Sequence, residues 1–216
     1  MESQALGDLF TILYRPRQIM RRILDGGGDR WAVQIVLLAF LCASVSDTDA
    51  RSLGEVLPDV KLLPLMSIIV VALAVQAAVW VLALFILSWI AVAVGRMLGG
   101  TGTGADVRAA LAWGMVPMIW SVIYRVPLAI FKDRIPVRPD QHVRDILLNF
   151  VQHGGCAVMV VMIALQIVFM LWSLFVASCT LGEAQRFSTE KGFVNLVITI
   201  AIPLLVIFAA VYTFGK

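Results

Sequence analysis

From Leu62 to Gly95 the chain runs thirty-four residues without a charged side chain, closed off by Lys61 and Arg96. A helix over that run would be about 51 Å long at 1.5 Å per residue, more than the ~30 Å of hydrocarbon in a bilayer. Four further uncharged windows cover Trp31 to Ser46, Ala109 to Tyr124, Ile146 to Gly182 and Gly192 to Gly215. Hydrophobic residues make up 61% of the chain and charged ones 14%, with a mean hydropathy of +0.93. A soluble domain is nearer half apolar and a quarter charged. The expected fold class is therefore all-α: a polytopic membrane protein with five transmembrane helices and an amphipathic interfacial helix ahead of them.

The expected spans are residues 31–50, 65–95, 107–130, 154–181 and 193–214, within a membrane domain of residues 31–216 that follows a cytoplasmic basic segment of residues 1–30. The second and fourth windows exceed one straight crossing, so their helices should tilt or extend past the lipid. The first window covers only about 24 Å, and crosses only if flanking residues such as Asp47 to Ala50 take part. In the third, Pro117 removes a helical hydrogen bond and kinks the backbone, which neighbouring helices in a membrane can compensate.

Orientation follows from Lys and Arg. With the N-terminus inside, nine of the basic residues fall on the cytoplasmic side and eight on the other. That difference is small, but the first helix usually dominates, and its flanks carry five basic residues against two. The expectation is N-in and C-out. No cleavable signal peptide is expected, because residues 1–30 carry Arg15, Arg17, Arg21, Arg22 and Arg30 where a secretory segment would have a short basic stretch and a cleavage site.

The segment LYRPRQIMRRILD starts a helix at Pro16, a favoured first-turn residue, and ends near Gly26, Gly27 and Gly28. Ile19, Met20, Ile23 and Leu24 share one side, with Arg17, Arg21 and Arg22 beyond it. Such a helix beside a span reads as an interfacial anchor, with Arg15, Arg17, Arg21 and Arg22 as membrane-surface or lipid contacts. The plainer reading is that these arginines only set topology. A second short surface helix is expected after Gln141, where Val143, Ile146, Leu147 and Phe150 have helical spacing before the fourth span.

Catalytic and metal-binding patterns are missing from the sequence. Cys42, Cys156 and Cys179 all fall in apolar windows and read as packing residues. His142 and His153 have no Cys or Glu at metal spacing. Asp47 and Asp49 offer two carboxylates where a cation site needs several oxygens, and read as a helix end and loop. The run Gly99-Gly100-Thr101-Gly102-Thr103-Gly104 lacks the Lys-Ser/Thr ending of a phosphate loop and follows a helix rather than a strand. It is expected to be a tight turn, with Thr103 or Asp106 capping the next helix. No cofactor is expected.

Polar groups inside spans are costly and are functional candidates by default. They are Gln76, Arg125, Gln166 and Asn195, with Ser88, Ser121, Ser173 and Ser178 as weaker ones. Amides are most often glue between helices. Arg125, near a helix end, is expected to snorkel to the surface. The absence of a mid-membrane pair of Asp, Glu or His argues against a proton-coupled pump, and no inverted repeat is evident.

The RPRQIMRRIL segment from Arg15, the GGTGTGADVRAALAWGMVPMI stretch from Gly99 and the LGEAQRFSTEKGFVNLVITI stretch from Leu181, together with five spans, resemble the bacterial branch of the Yip1 domain family over nearly the whole chain. The resemblance implies a five-helix integral membrane protein, N-terminus cytoplasmic, often self-associating. Eukaryotic members assist vesicle traffic and contact Rab GTPases, and this chain lacks their long N-terminal region. A bacterial inner membrane fits better than an organelle.

The function expected is non-enzymatic: association with membrane lipids, as a homo-oligomer or as an accessory subunit of a membrane-protein complex, with no nucleic-acid partner. The alternative is a small transporter or lipid-moving protein whose path is lined by Gln76, Gln166 and Asn195, which would have to face one another. An intramembrane hydrolase is excluded for want of a paired Asp, Ser-His or HExxH arrangement.

Overall fold

Hydrocarbon offers no hydrogen-bond partner to the backbone, so a spanning segment must satisfy its N–H and C=O groups internally. The computed structural model describes residues 2–27, 31–44, 62–132 and 155–214, and helix is the only regular structure among them. The helices are α1 (Glu2–Thr11), α2 (Pro16–Asp25), α3 (Ala32–Ser44), α4 (Leu62–Met97), α5 (Gly104–Gly114), α6 (Val116–Trp120), α7 (Val122–Lys132), α8 (Gly155–Ala184) and α9 (Thr189–Phe214). The expected surface helix after Gln141, both histidines, Asp47 and Asp49 lie outside the described residues.

Four segments are long and apolar enough to cross a membrane: Val70–Met97, Gly104–Pro127, Val160–Ala184 and Thr189–Thr213. The protein is thus a polytopic membrane protein. The count differs from five at the first expected span, where α3 has thirteen residues. At about 20 Å it is shorter than the hydrocarbon it would have to cross.

The third span is broken twice, at Met115 and at Ser121. Pro117 was expected inside a helix as its kink. Instead the chain restarts with Pro117 in the first turn of α6, where its missing N–H costs nothing. The broken span is the centre of the fold: 61% of its apolar window is buried, against 6 to 17% for the other three. Val107, Ala109, Ala110, Ala112, Trp113 and Val116 are buried within it. α8 packs along it, with α3 and α4 around the remaining sides.

Close approach sets this packing. A Cβ on Gly114 would stand 2.7 Å from the Ala177 Cβ, so α5 and α8 nearly touch backbone to backbone. Between α8 and α9, a Cβ on Gly192 would collide with the Ser178 carbonyl. Lipid tails are as apolar as Leu, so helices in a membrane associate through such contacts and not through hydrophobic exclusion from water.

The N-terminal helices cap one end of the bundle. α2 starts with Pro16 in its first turn and stops at Gly26, as the sequence indicates. Its apolar side is turned to protein: Ile12 of the α1–α2 link, Ile19 and Met20 are buried in the same core as α5 and α8.

Candidate functional site

The end capped by α2 concentrates the polar chemistry. α8 ends there at Ala184 with Gln185 just beyond it, and the chain turns at Arg186, whose φ of +59° is left-handed and unusual for a residue with a side chain. Two hydrogen bonds close the turn, Phe187 N–H to Gly182 C=O at 2.9 Å and Arg186 N–H to Glu183 C=O at 3.1 Å. This is a Schellman ending, with Arg186 in the place usually taken by glycine.

The turn places Gln185 inside the protein, fully buried. Its Nε2 donates to the Ala91 carbonyl of α4 at 3.2 Å. Its Oε1 accepts from Gly102 N–H at 3.3 Å, and its backbone C=O accepts from Thr101 N–H at 3.2 Å. One residue thus ties α8 to α4 and to the glycine turn. Gly95 and Gly100 leave the room, because a Cβ on either would overlap the Gln185 amide.

Asn195 of α9 adds to the same knot. Also fully buried, it donates through Nδ2 to the Ala91 carbonyl at 3.1 Å and accepts from Thr199 Oγ1 at 3.1 Å. On the rim, Lys191 Nζ donates to the Leu98 carbonyl at 3.3 Å. The turn that leads into α5 carries the expected cap in its complete form. Thr103 Oγ1 accepts from Asp106 N–H at 3.2 Å, and Asp106 Oδ2 accepts from Thr103 N–H at 3.1 Å, a capping box.

Above this knot sits the arginine clamp. Arg17 and Arg21 are one helical turn apart on α2, so both reach the same acceptor. Arg21 Nε donates to Glu183 Oε1 at 2.7 Å and Arg17 Nε to Glu183 Oε2 at 3.1 Å. Arg17 Nη2 donates further to the Phe187 carbonyl at 3.2 Å. The hydrogen bond to Glu183, and then its charge, push the Arg21 guanidinium above its usual value. The Glu183 side chain is only 11% exposed, so its ionisation relies on those partners. Arg22 pairs with Asp8 of α1 at 3.1 Å, and Arg15 is exposed. Beside the clamp lies an open basin of about 680 Å³ whose rim includes Arg17, Arg21, Arg186, Asp25, Asp106 and Glu183. Three guanidinium groups face three carboxylates, so the basin presents no strong field of one sign.

A second polar group lies at the opposite end. Tyr124 Oη and Arg125 Nη2 both donate to Gln166 Oε1, and Arg125 Nη1 donates to the Ala43 carbonyl of α3 at 2.7 Å. Arg125, expected to snorkel towards the surface, is half-buried and is held by protein acceptors, because a guanidinium among apolar helices needs acceptors and finds them on α3 and α8.

The three amides expected to face one another across a path do not meet. Gln166 belongs to the Tyr124–Arg125 group, Asn195 to the Gln185 knot, and Gln76 stands on the exposed side of α4. Among the described residues no group of His, Cys, Asp and Glu could hold a metal ion. Glu183, Gln185 and Tyr124 were not singled out from sequence. The available signal for the first two was their place in LGEAQRF, where charge and amide end a thirty-seven-residue uncharged run from Ile146 to Gly182.

The Yip1 domain family model matches residues 10–211, from the end of α1 through nearly all of α9. No curated protein and no solved structure matches the chain. With the model covering most of its length, the chain belongs to the Yip1 domain family.

Proposed function

We propose that this Yip1 family member works by association and not by a reaction of its own, in a bacterial inner membrane, as a homo-oligomer or an accessory subunit, with its N-terminus in the cytoplasm. The observation that carries the reading is the use made of the polar groups. Gln185, Asn195, Ser173, Ser178 and Thr180 all bond to helix backbone. All but Ser178, which bonds back to Leu174 of its own helix, hold one helix to another, and among the described residues they leave no nucleophile beside a base.

Apart from Gln76 and Gln166, what the spans offer outward is mainly apolar: Val75, Val79, Leu82, Ile167, Leu171, Leu205 and Phe208 are each about half exposed or more. In a bilayer such walls serve lipid chains or other helices. Arg15, Arg17, Arg21, Arg22 and Arg186 gather at the end capped by α2, which supports placing that end in the cytoplasm by the positive-inside rule and near anionic headgroups. α3, with flanking residues, would supply the fifth crossing.

Purification from native membranes in nanodiscs, followed by mass spectrometry of what accompanies the protein, tests this. The expected result is either a stoichiometric membrane-protein partner or a self-associated particle. A monomer without partners, whose lipid flux disappears when Gln76, Gln166 and Asn195 are replaced, would overturn it.

A further inference from the structure

Between α4, the broken third span, α8 and α9 lies a groove lined by Leu87, Leu111, Met115, Met118, Met170 and Ile200, with Gly114 and Ala177 at its floor. Its volume is about 190 Å³ and its wall is almost wholly apolar. Ser173 and Thr199 border it, but each hydroxyl gives its one proton to protein: Ser173 Oγ donates to the Gly114 carbonyl at 3.0 Å and Thr199 Oγ1 to Asn195 Oδ1. A water molecule needs two or more polar partners, so an almost wholly apolar wall gives it little foothold.

Its depth follows from helical rise. Leu111 and Leu196 stand seven residues inside the starts of α5 and α9, and Met170 fourteen before the end of α8. The groove therefore lies about 10 to 21 Å from the α2 end, within the hydrocarbon of the spans. It opens sideways, where Met170 and Ile200 are 48% and 39% exposed. The near-contact of Gly114 with Ala177 closes its floor.

We infer that this groove binds one acyl chain of a bilayer phospholipid. Size selects that occupant. A partner helix is about 10 Å across, too thick for a slot of this volume, while an apolar cavity of about 150 Å³ already holds benzene. Met115, Met118 and Met170 supply unbranched, adaptable side chains that follow a flexible chain. The inference rests on the membrane-embedded, lipid-associating reading above and adds a place and a ligand class to it.

The test uses the full chain in vesicles of phosphatidylethanolamine and phosphatidylglycerol containing a phosphatidylcholine with a mid-chain diazirine. After photolysis, labelled positions are mapped by mass spectrometry. Labelling at Met115, Met118 and Met170 should exceed that at the outward-facing Val75 and Leu205 by about tenfold, the factor that 1.4 kcal/mol of preference produces. Filling the groove with Leu87→Trp, or from the facing helix with Leu196→Phe, should bring it down to the level of those two controls. Equal labelling at groove and control positions in the unaltered protein overturns the inference, whatever becomes of the variants. Persistence of the excess in a filled variant that stays monodisperse does the same. Absence of label at Val75 and Leu205 as well would overturn the membrane-embedded reading itself.

Discussion

α8 is one uninterrupted helix with two different surroundings. From Val176 to Leu181 every side chain is buried, whereas Val160, Ile163, Ile167, Leu171 and Phe175 are each about half exposed or more. α9 divides likewise: Asn195, Leu196 and Thr199 are buried, and Leu204 to Phe208 are exposed. The halves do not differ in compatibility with lipid. They differ in what makes the contact. The packed half approaches its neighbours at Ala177, Ser178, Gly182 and Gly192, alongside the buried Val176 and Leu181, while the open half turns Val, Ile, Leu and Phe outward together with Ala209 and Ala210. In hydrocarbon, small residues placed where two backbones come closest, and buried amides, decide which stretch of helix meets protein, because apolar bulk is equally content against lipid.

If small size at the packed end is what joins α8 to α9, Gly192→Val should do the most damage. The new side chain would meet the Ser178 carbonyl and the Gly182 backbone, neither of which can rotate away. We expect about 3 kcal/mol or more of destabilisation, read as loss of the folded, monodisperse fraction in detergent. Full stability in that variant would break the comparison outright.

Gln185→Leu keeps the volume and removes the amide. Gly102 N–H then loses its acceptor inside the protein, at a cost of about 1 to 3 kcal/mol. Thermal unfolding of purified protein checks this, and a Gln185→Glu variant would show whether shape alone suffices.

Glu183→Gln weakens the clamp on α2 without touching the helix interfaces below. Arg21 is mostly exposed and Arg17 nearly half so, so we expect a loss of about 1 kcal/mol at most. Hydrogen exchange should speed up across Pro16–Asp25 and stay unchanged in α8 before Leu181. Uniform acceleration would mean that the Glu183 clamp secures the helices below as well as α2.

The smallest effect should come from Gln76→Leu. Gln76 sits on the open half of α4, and exposed positions usually lie within about 0.5 kcal/mol of neutral. A thermal shift larger than that of Gln185→Leu would mean that the open half is covered by protein in the assembly.

Periodicity and composition alone determine the all-helical class, the extents of α4, α8 and α9 within a few residues, the start of α2 at Pro16, and the Thr103–Asp106 cap. Each of these depends on neighbours along the chain, through hydrogen bonds and side-chain spacing that span four residues or fewer. The same local information placed an interruption of the third span at Pro117, and the helix does break there, at Met115, with Pro117 beginning the next piece and not kinking a continuous one; the second break, at Ser121, had no such signal in the sequence. Tertiary structure alone decided that Gln185 and Asn195 share the Ala91 carbonyl, that Arg125 turns inward to Ala43, and that Gln76 faces out. The physical reason is that an amide or guanidinium in an apolar helix needs a partner, and the sequence states the need while the packing of distant segments names the partner.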